Sequence, residues 1–336
     1  MRYGLGLALL LLSLLAACSG GGEREPLTPT PPPLQPSPSP ATTEQAAAIG
    51  GWSVGALMPT ARSEITSALL DGKIYVIGGF EATGENSAVV EAYDPVADAW
   101  ETVAPLPRAL DHAMAAAVDG KLYLIGGYRV FQSQFSSATY EYDPSTDAWT
   151  ERASMPDPRA AGAAAVLDGL IYIVGGVGPE PLVTLAYDPR ADVWNELELM
   201  PGAREHLAAQ AVDGRVYAIG GRWNGVNVGT VEAYDPASDT WEVRTSMPTL
   251  RGGIASAVVD GQIHILGGEE LREGFTFSEH EVYDAEPDGW TAAPPLPTAR
   301  HGLTAQAHEG RLYVIGGGEQ AGLSTSSLVE AFTPPQ

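Results

Sequence analysis

Basic charge is what this sequence has least of. Lys and Arg together number 18 among 336 residues, with only two lysines, Lys73 and Lys121, against 42 acids, for a formal charge of -24. With no clustered basic run, nucleic acid and anionic lipid headgroups are excluded as partners. Cysteine is almost missing too: Cys18 is the sole one, so no internal disulfide can form. No apolar run is long enough to cross a membrane. The longest, residues 5–17 with breaks at Gly6 and Ser13, would rise about 20 Å as a helix against a hydrocarbon core of about 30 Å. Ser-His-Asp arrangements, phosphate loops and metal-spaced His pairs are also missing. No metal or cofactor is therefore expected.

The short apolar run follows Arg2 and ends in Leu15-Ala16-Ala17-Cys18, the layout of an export signal. That ending resembles the lipobox of bacterial lipoproteins, in which the signal is cut before the cysteine and the cysteine receives lipid. The resemblance implies a signal over residues 1–17, lipidation at Cys18, and an address outside the cytoplasm on a bacterial membrane, at the cell surface or facing the periplasm. Membrane contact is expected through that lipid alone. Residues 18–48 form the linker: eight of the fifteen residues 26–40 are proline. Such a stretch is an extended spacer, reaching up to about 90 Å in polyproline form.

What the sequence has in plenty is Gly, 39 residues, and Gly is where the repeats show. Gly-Gly returns at positions 78, 126, 175, 220, 267 and 316. Around each doublet the plan is constant: a small apolar segment, an Asp-Gly turn (Asp71, Asp119, Asp168, Asp213, Asp260; Glu309-Gly310 in the last copy), an Ile-Tyr-Val-Ile-like segment, Gly-Gly, a polar loop, Tyr-Asp-Pro or a variant, and Trp. Asp-Gly supplies the positive φ angles of a two-residue hairpin. Six copies of a unit too small to bury its own apolar face imply an array of four-stranded antiparallel sheets. The pattern is similar to the kelch repeat from residue 51 to the end, which implies a six-bladed propeller over residues 49–336, innermost strand first and outermost last. Five copies have their Trp (100, 149, 194, 241, 290), whereas the sixth ends at Phe332 without one, and Gly51-Trp52-Ser53-Val54 lies orphaned at the front. Closure of the ring by that N-terminal strand follows, and a monomer is expected.

Fifteen of the 42 acids fall at the Asp-Gly turns, the Tyr-Asp turns and two residues before each Trp (Asp98, Asp147, Asp192, Asp239, Asp288), where Asp bonds turn backbone. Candidate binding residues fall on the opposite face. Nine residues before each turn acid stand Arg62, Arg159, Arg204, Arg251 and Arg300, with Leu110 in the second copy. An arginine ring at the channel mouth would suit an acidic ligand, and kelch proteins that capture acidic peptides use arginines there. The competing reading is that each arginine stitches blades together. Beside the slot lie Glu64, Asp111, His112, Glu205, His206 and His301, the histidines in adjacent rather than identical slots. His264 stands where other copies have Tyr. The loops after Gly-Gly add Phe80, Tyr128, Arg129, Phe131, Arg222, Trp223 and Asn224, with Tyr128 and Trp223 as aromatic anchors. The resulting expectation is a module that binds protein or glycan through the Arg-rimmed face. Among exported six-bladed kelch proteins is a sialic acid mutarotase, so a carbohydrate enzyme using Glu64 or Glu205 as acid and base is the alternative. The copper oxidases of related propellers need a cysteine crosslinked to a tyrosine, and Cys18 lies far upstream in the anchor.

Overall fold

The computed structural model describes residues 51–130 and 133–335. The signal, Cys18, the linker and Phe131 lie outside the described residues. Six four-stranded antiparallel sheets form a β-propeller with no helix among the described residues. In blade one the strands are Thr66–Leu70, Lys73–Ile77, Val90–Asp94 and Ala99–Thr102, paired in chain order. Blades two to five repeat this order. The innermost strand of each blade touches those of both neighbours around a complete circle, which is why Ala recurs in all six, with Ser, Thr or Gln in four of them.

Blade six is completed from the other end of the chain. Gly51–Val54 pairs antiparallel with Val329–Thr333, placing Trp52 opposite Phe332 and giving the last blade its fourth strand. Trp52 then does what every outer Trp does. Its indole Nε1 donates to Pro294 O, as Trp100 does to Ala56 O and Trp149 to Ala104 O. Each indole thus clamps the chain leaving the preceding blade's outer strand. The Asp two residues before Trp joins the same clamp: Asp147 Oδ1 accepts from Ala104 N and Tyr142 Oη. It takes a left-handed backbone conformation to do so.

Apolar side chains from facing sheets make six cores, one per blade interface; Ile77, Val90 and Ala92 of blade one, for example, meet Leu122, Leu124 and Tyr142 of blade two. The Gly doublets are required by these joints. Gly127 N donates to Arg159 O across the interface, and a Cβ on Gly126 would sit 2.3 Å from that same carbonyl.

Candidate functional site

The arginine slot is a structural joint rather than a rim. Arg62, Arg159, Arg204, Arg251 and Arg300 are all 0–2% exposed. Arg62 donates to Gly78 O, Val89 O and Glu91, all in its own blade. Arg204 pairs with Glu232, Arg251 with Glu281 and Arg300 with Glu330, each acid on the third strand of the same blade. Where blade three has Leu185 in place of that Glu, Asp157 pairs with Arg159 instead. Blade two lacks the pair altogether and fills the space with Leu110 and Tyr140. The expected ring of ligand-facing guanidinium groups is therefore corrected: a charge this deep needs fixed partners, and the blade supplies acceptors to Arg62, Arg159, Arg204 and Arg251 and the Glu330 ion pair to Arg300.

The channel mouth is built from two other columns of residues. Two places after the arginine slot come Glu64, His112, Ala161, His206, Gly253 and Gly302, all with left-handed backbones (φ 50 to 69°). Their amides and carbonyls link blade to blade: His112 N donates to Glu64 O, Ala161 N to His112 O, His206 N to Ala161 O, Gly253 N to His206 O and Gly302 N to Gly253 O. His112 and His206 thus share one slot with Glu64, correcting the reading that the histidines occupy merely adjacent slots; His301 is one place earlier. The second column is the residue after each doublet, Phe80, Tyr128, Val177, Arg222 and Glu269, each bridged to the backbone one place after the arginine slot.

Together these columns enclose a cavity of about 540 Å³ lined by Glu64, His112, His206, His301, Glu205, Arg222 and Glu269 on its polar side and Phe80, Tyr128, Leu271 and Leu323 on its apolar side. His112 Nδ1 is 2.5 Å from Asp111 Oδ1, and His206 Nδ1 bonds Glu205 Oε2. The two Nε2 atoms face each other at 3.0 Å, with Glu64 Oε2 at 3.3 Å from one and 3.6 Å from the other. His301 Nδ1 lies 3.3 Å from Glu64 Oε1 and 3.4 Å from Glu269 Oε2, while its Nε2 meets Gln320 O at 3.0 Å.

Arg222 is held between Glu205 and Glu269 at 3.0 and 2.6 Å. The expected aromatic anchors divide: Tyr128 is buried, edge-on to His112, and Trp223 is half-buried outside the cavity lining. Glu269 is the charged lining residue that sequence reasoning missed; its place directly after Gly267-Gly268, equivalent to Arg222 after its own doublet, was the available signal.

Electrostatics follow from this crowding. Burial alone would raise the Glu64 carboxyl, but His112, His301 and His206 hold it well below the usual carboxylate range. Burial and then Arg222 push the His206 imidazole well below its ordinary value. Burial opposes charge on His301, yet Glu64 and Glu269 raise it. Burial also raises Asp111, and pushes the Tyr128 phenol up to about 12. Among the described residues, two groups could hold a metal ion: Glu64 with His112 and His206, and Glu64 with Glu269 and His301.

The family model of the KLHDC2/KLHL20/DRC7 Kelch-repeats domain matches residues 52–200, and that of the Kelch motif matches residues 203–248. The chain belongs to the kelch-repeat family. Among solved structures it is similar to that described as "Structure of YjhT", with a TM-score of 0.71 at 17% identity, covering 81% of this chain and 95% of that one. At this identity the likeness is one of fold. No curated protein sequence matches the chain.

Proposed function

We propose that this kelch propeller is held outside the cytoplasm by a lipid on Cys18, at the end of a proline-rich spacer, and binds carbohydrate in the cavity at its channel mouth. The observation that carries the reading is the shape and lining of that cavity. About 540 Å³ lined by convergent polar groups and apolar side chains is the form of a small-ligand site. Carboxylates and imidazoles can bond sugar hydroxyls, while Phe80, Leu271 and Leu323 offer apolar contact to ring faces. Charge narrows the ligand class. Glu64, Glu205 and Glu269 outnumber Arg222, which is already bonded to two of them, so a neutral glycan suits the site better than an acidic one. A glycan array probed with residues 49–336 tests this. A neutral glycan should bind and lose at least tenfold in affinity on Arg222→Ala, which frees the two carboxylates from their anchor. A blank array, or affinity unchanged by the substitution, refutes the site.

A second reading, sugar mutarotation, is favoured by one feature: an ionised Glu64 and a His301 whose pKa is raised stand 3.3 Å apart in one wall, a base and an acid facing the same ligand space. Faster anomerisation of a reducing sugar, with neutral sugars and sialic acid both assayed by NMR, lost in Glu64→Gln, is the expected result on that reading. Rates equal to those without protein reject it.

A further inference from the structure

We propose that Glu64, His112 and His206 bind a single divalent transition-metal ion, Zn²⁺ being the best match. The sequence Asp111–His112–His206–Glu205 is a chain of four ionisable side chains with three contacts along it. Each imidazole turns its Nδ1 to a carboxylate oxygen, which accepts the N–H there and leaves Nε2 as the lone-pair nitrogen. The middle contact then brings two nitrogen lone pairs to 3.0 Å, and a carboxylate oxygen stands beside it. A cation at the centre of that triangle converts mutual repulsion into ligation. The spacing fits: the three ligand atoms are 3.0, 3.3 and 3.6 Å apart, and a tetrahedral ion with bonds of about 2.0–2.1 Å keeps its ligands about 3.3 Å apart.

Three further observations support the assignment. Each imidazole gives its Nδ1 to a carboxylate, Asp111 or Glu205, the arrangement that fixes tautomer and ring direction for metal ligands. Behind Glu64 stands the buried His301, whose Nδ1 lies 3.3 Å from its other oxygen. The backbone is also committed: the three ligand residues hold φ of 50, 50 and 54° in a column where blades five and six have glycine. Side chains kept in that conformation at a mouth, against its backbone cost, are found where function over-determines them. Gly302 completes the fit, because a Cβ there would meet Glu64 Oε1 at 2.6 Å. Two nitrogens and one oxygen with the remaining position open to the cavity is the donor set of a reactive zinc site rather than a closed structural one.

This proposal does not rest on carbohydrate binding. The full chain, stripped with chelator and titrated with Zn²⁺ alone, should take up one ion per chain by elemental analysis, with micromolar or tighter affinity by calorimetry. His206→Gly should weaken Zn²⁺ at least a hundredfold without lowering the melting temperature of the metal-free protein, because glycine relieves the left-handed backbone. Glu64→Gln should weaken it at least tenfold. Absence of saturable Zn²⁺ uptake by the wild-type chain, or uptake undiminished in His206→Gly, overturns the assignment. A chain that binds Zn²⁺ but no sugar refutes the carbohydrate reading alone.

Discussion

Removing the Arg204 guanidinium tests whether the slot is a structural joint. Nη1 donates to Glu232 Oε2 at 2.5 Å and Nη2 to Ala218 O at 3.0 Å, with both side chains no more than 4% exposed. Arg204→Leu leaves the Glu232 carboxylate buried without its cation, and breaking a buried pair from one side costs about 3–5 kcal/mol. Blade two shows the compensated form, since Leu110 occupies the slot and Tyr140 the third-strand position, packed in one apolar cluster. The double variant Arg204→Leu/Glu232→Tyr therefore copies a solution already present in the chain. At roughly 2–4 °C per kcal/mol for a domain near this size, the single variant should melt about 10 °C lower. The double variant should regain at least half of that loss. Guanidinium-chloride unfolding followed by Trp fluorescence gives the free energies, and calorimetry the melting temperatures. A single variant within 1 kcal/mol of the wild type, or a double variant no more stable than the single, refutes the joint.

Deleting residues 49–58 removes the strand that closes blade six and the buried Met58; it should abolish cooperative unfolding, whereas trimming residues 20–40 should leave the melting temperature unchanged, as calorimetry of both will show. Burial lowers the imidazoles of His264 and His280 to about 4, so the folded protein binds fewer protons than the unfolded chain between pH 6.5 and pH 4 and loses stability as pH falls through that window, on the order of 3 kcal/mol for one such group. His264→Tyr/His280→Val, which restores the residues found in the matching positions of blade four, should flatten that part of a stability-versus-pH curve; an unchanged slope counts against the pair. Cys18→Ser should release the protein from the membrane pellet into the soluble fraction on cell fractionation.

The propeller was legible in the sequence because each repeated residue answers a demand that recurs at every joint. A doublet glycine recurs where a Cβ would collide with the next blade's carbonyl, and a Trp recurs where an indole must clamp the preceding blade. Even the closing strand could be read, since Trp52 had the outer-strand signature and no blade of its own. For the arginine slot, of the two readings, ligand rim and stitch between blades, the first fails on burial and the second holds only as a pairing within each blade. The slot's partner was visible two strands later: Glu91, Glu232, Glu281 and Glu330 accompany four of the arginines, and blade two loses Arg and Glu together. A charge whose opposite appears and disappears with it in the same repeat is an internal pair.

The candidate site was harder to read because its function lies in departures from the repeat. Glu64, His112 and His206 share a column with Ala161, Gly253 and Gly302, and the glycines there report a left-handed backbone that every blade must adopt. Read as a column, three large polar side chains where small residues suffice mark the mouth before any coordinates are known. What no single column discloses is that Arg222 and Glu269, from loops of blades four and five, meet at 2.6 Å beneath His301 of blade six. That meeting depends on how far each wedge turns about the axis, a property of the packed ring and not of any one repeat. The propeller thus divides its sequence into two kinds of position: those where all blades must agree, which specify the ring, and those around the mouth where disagreement places unlike charges against one another.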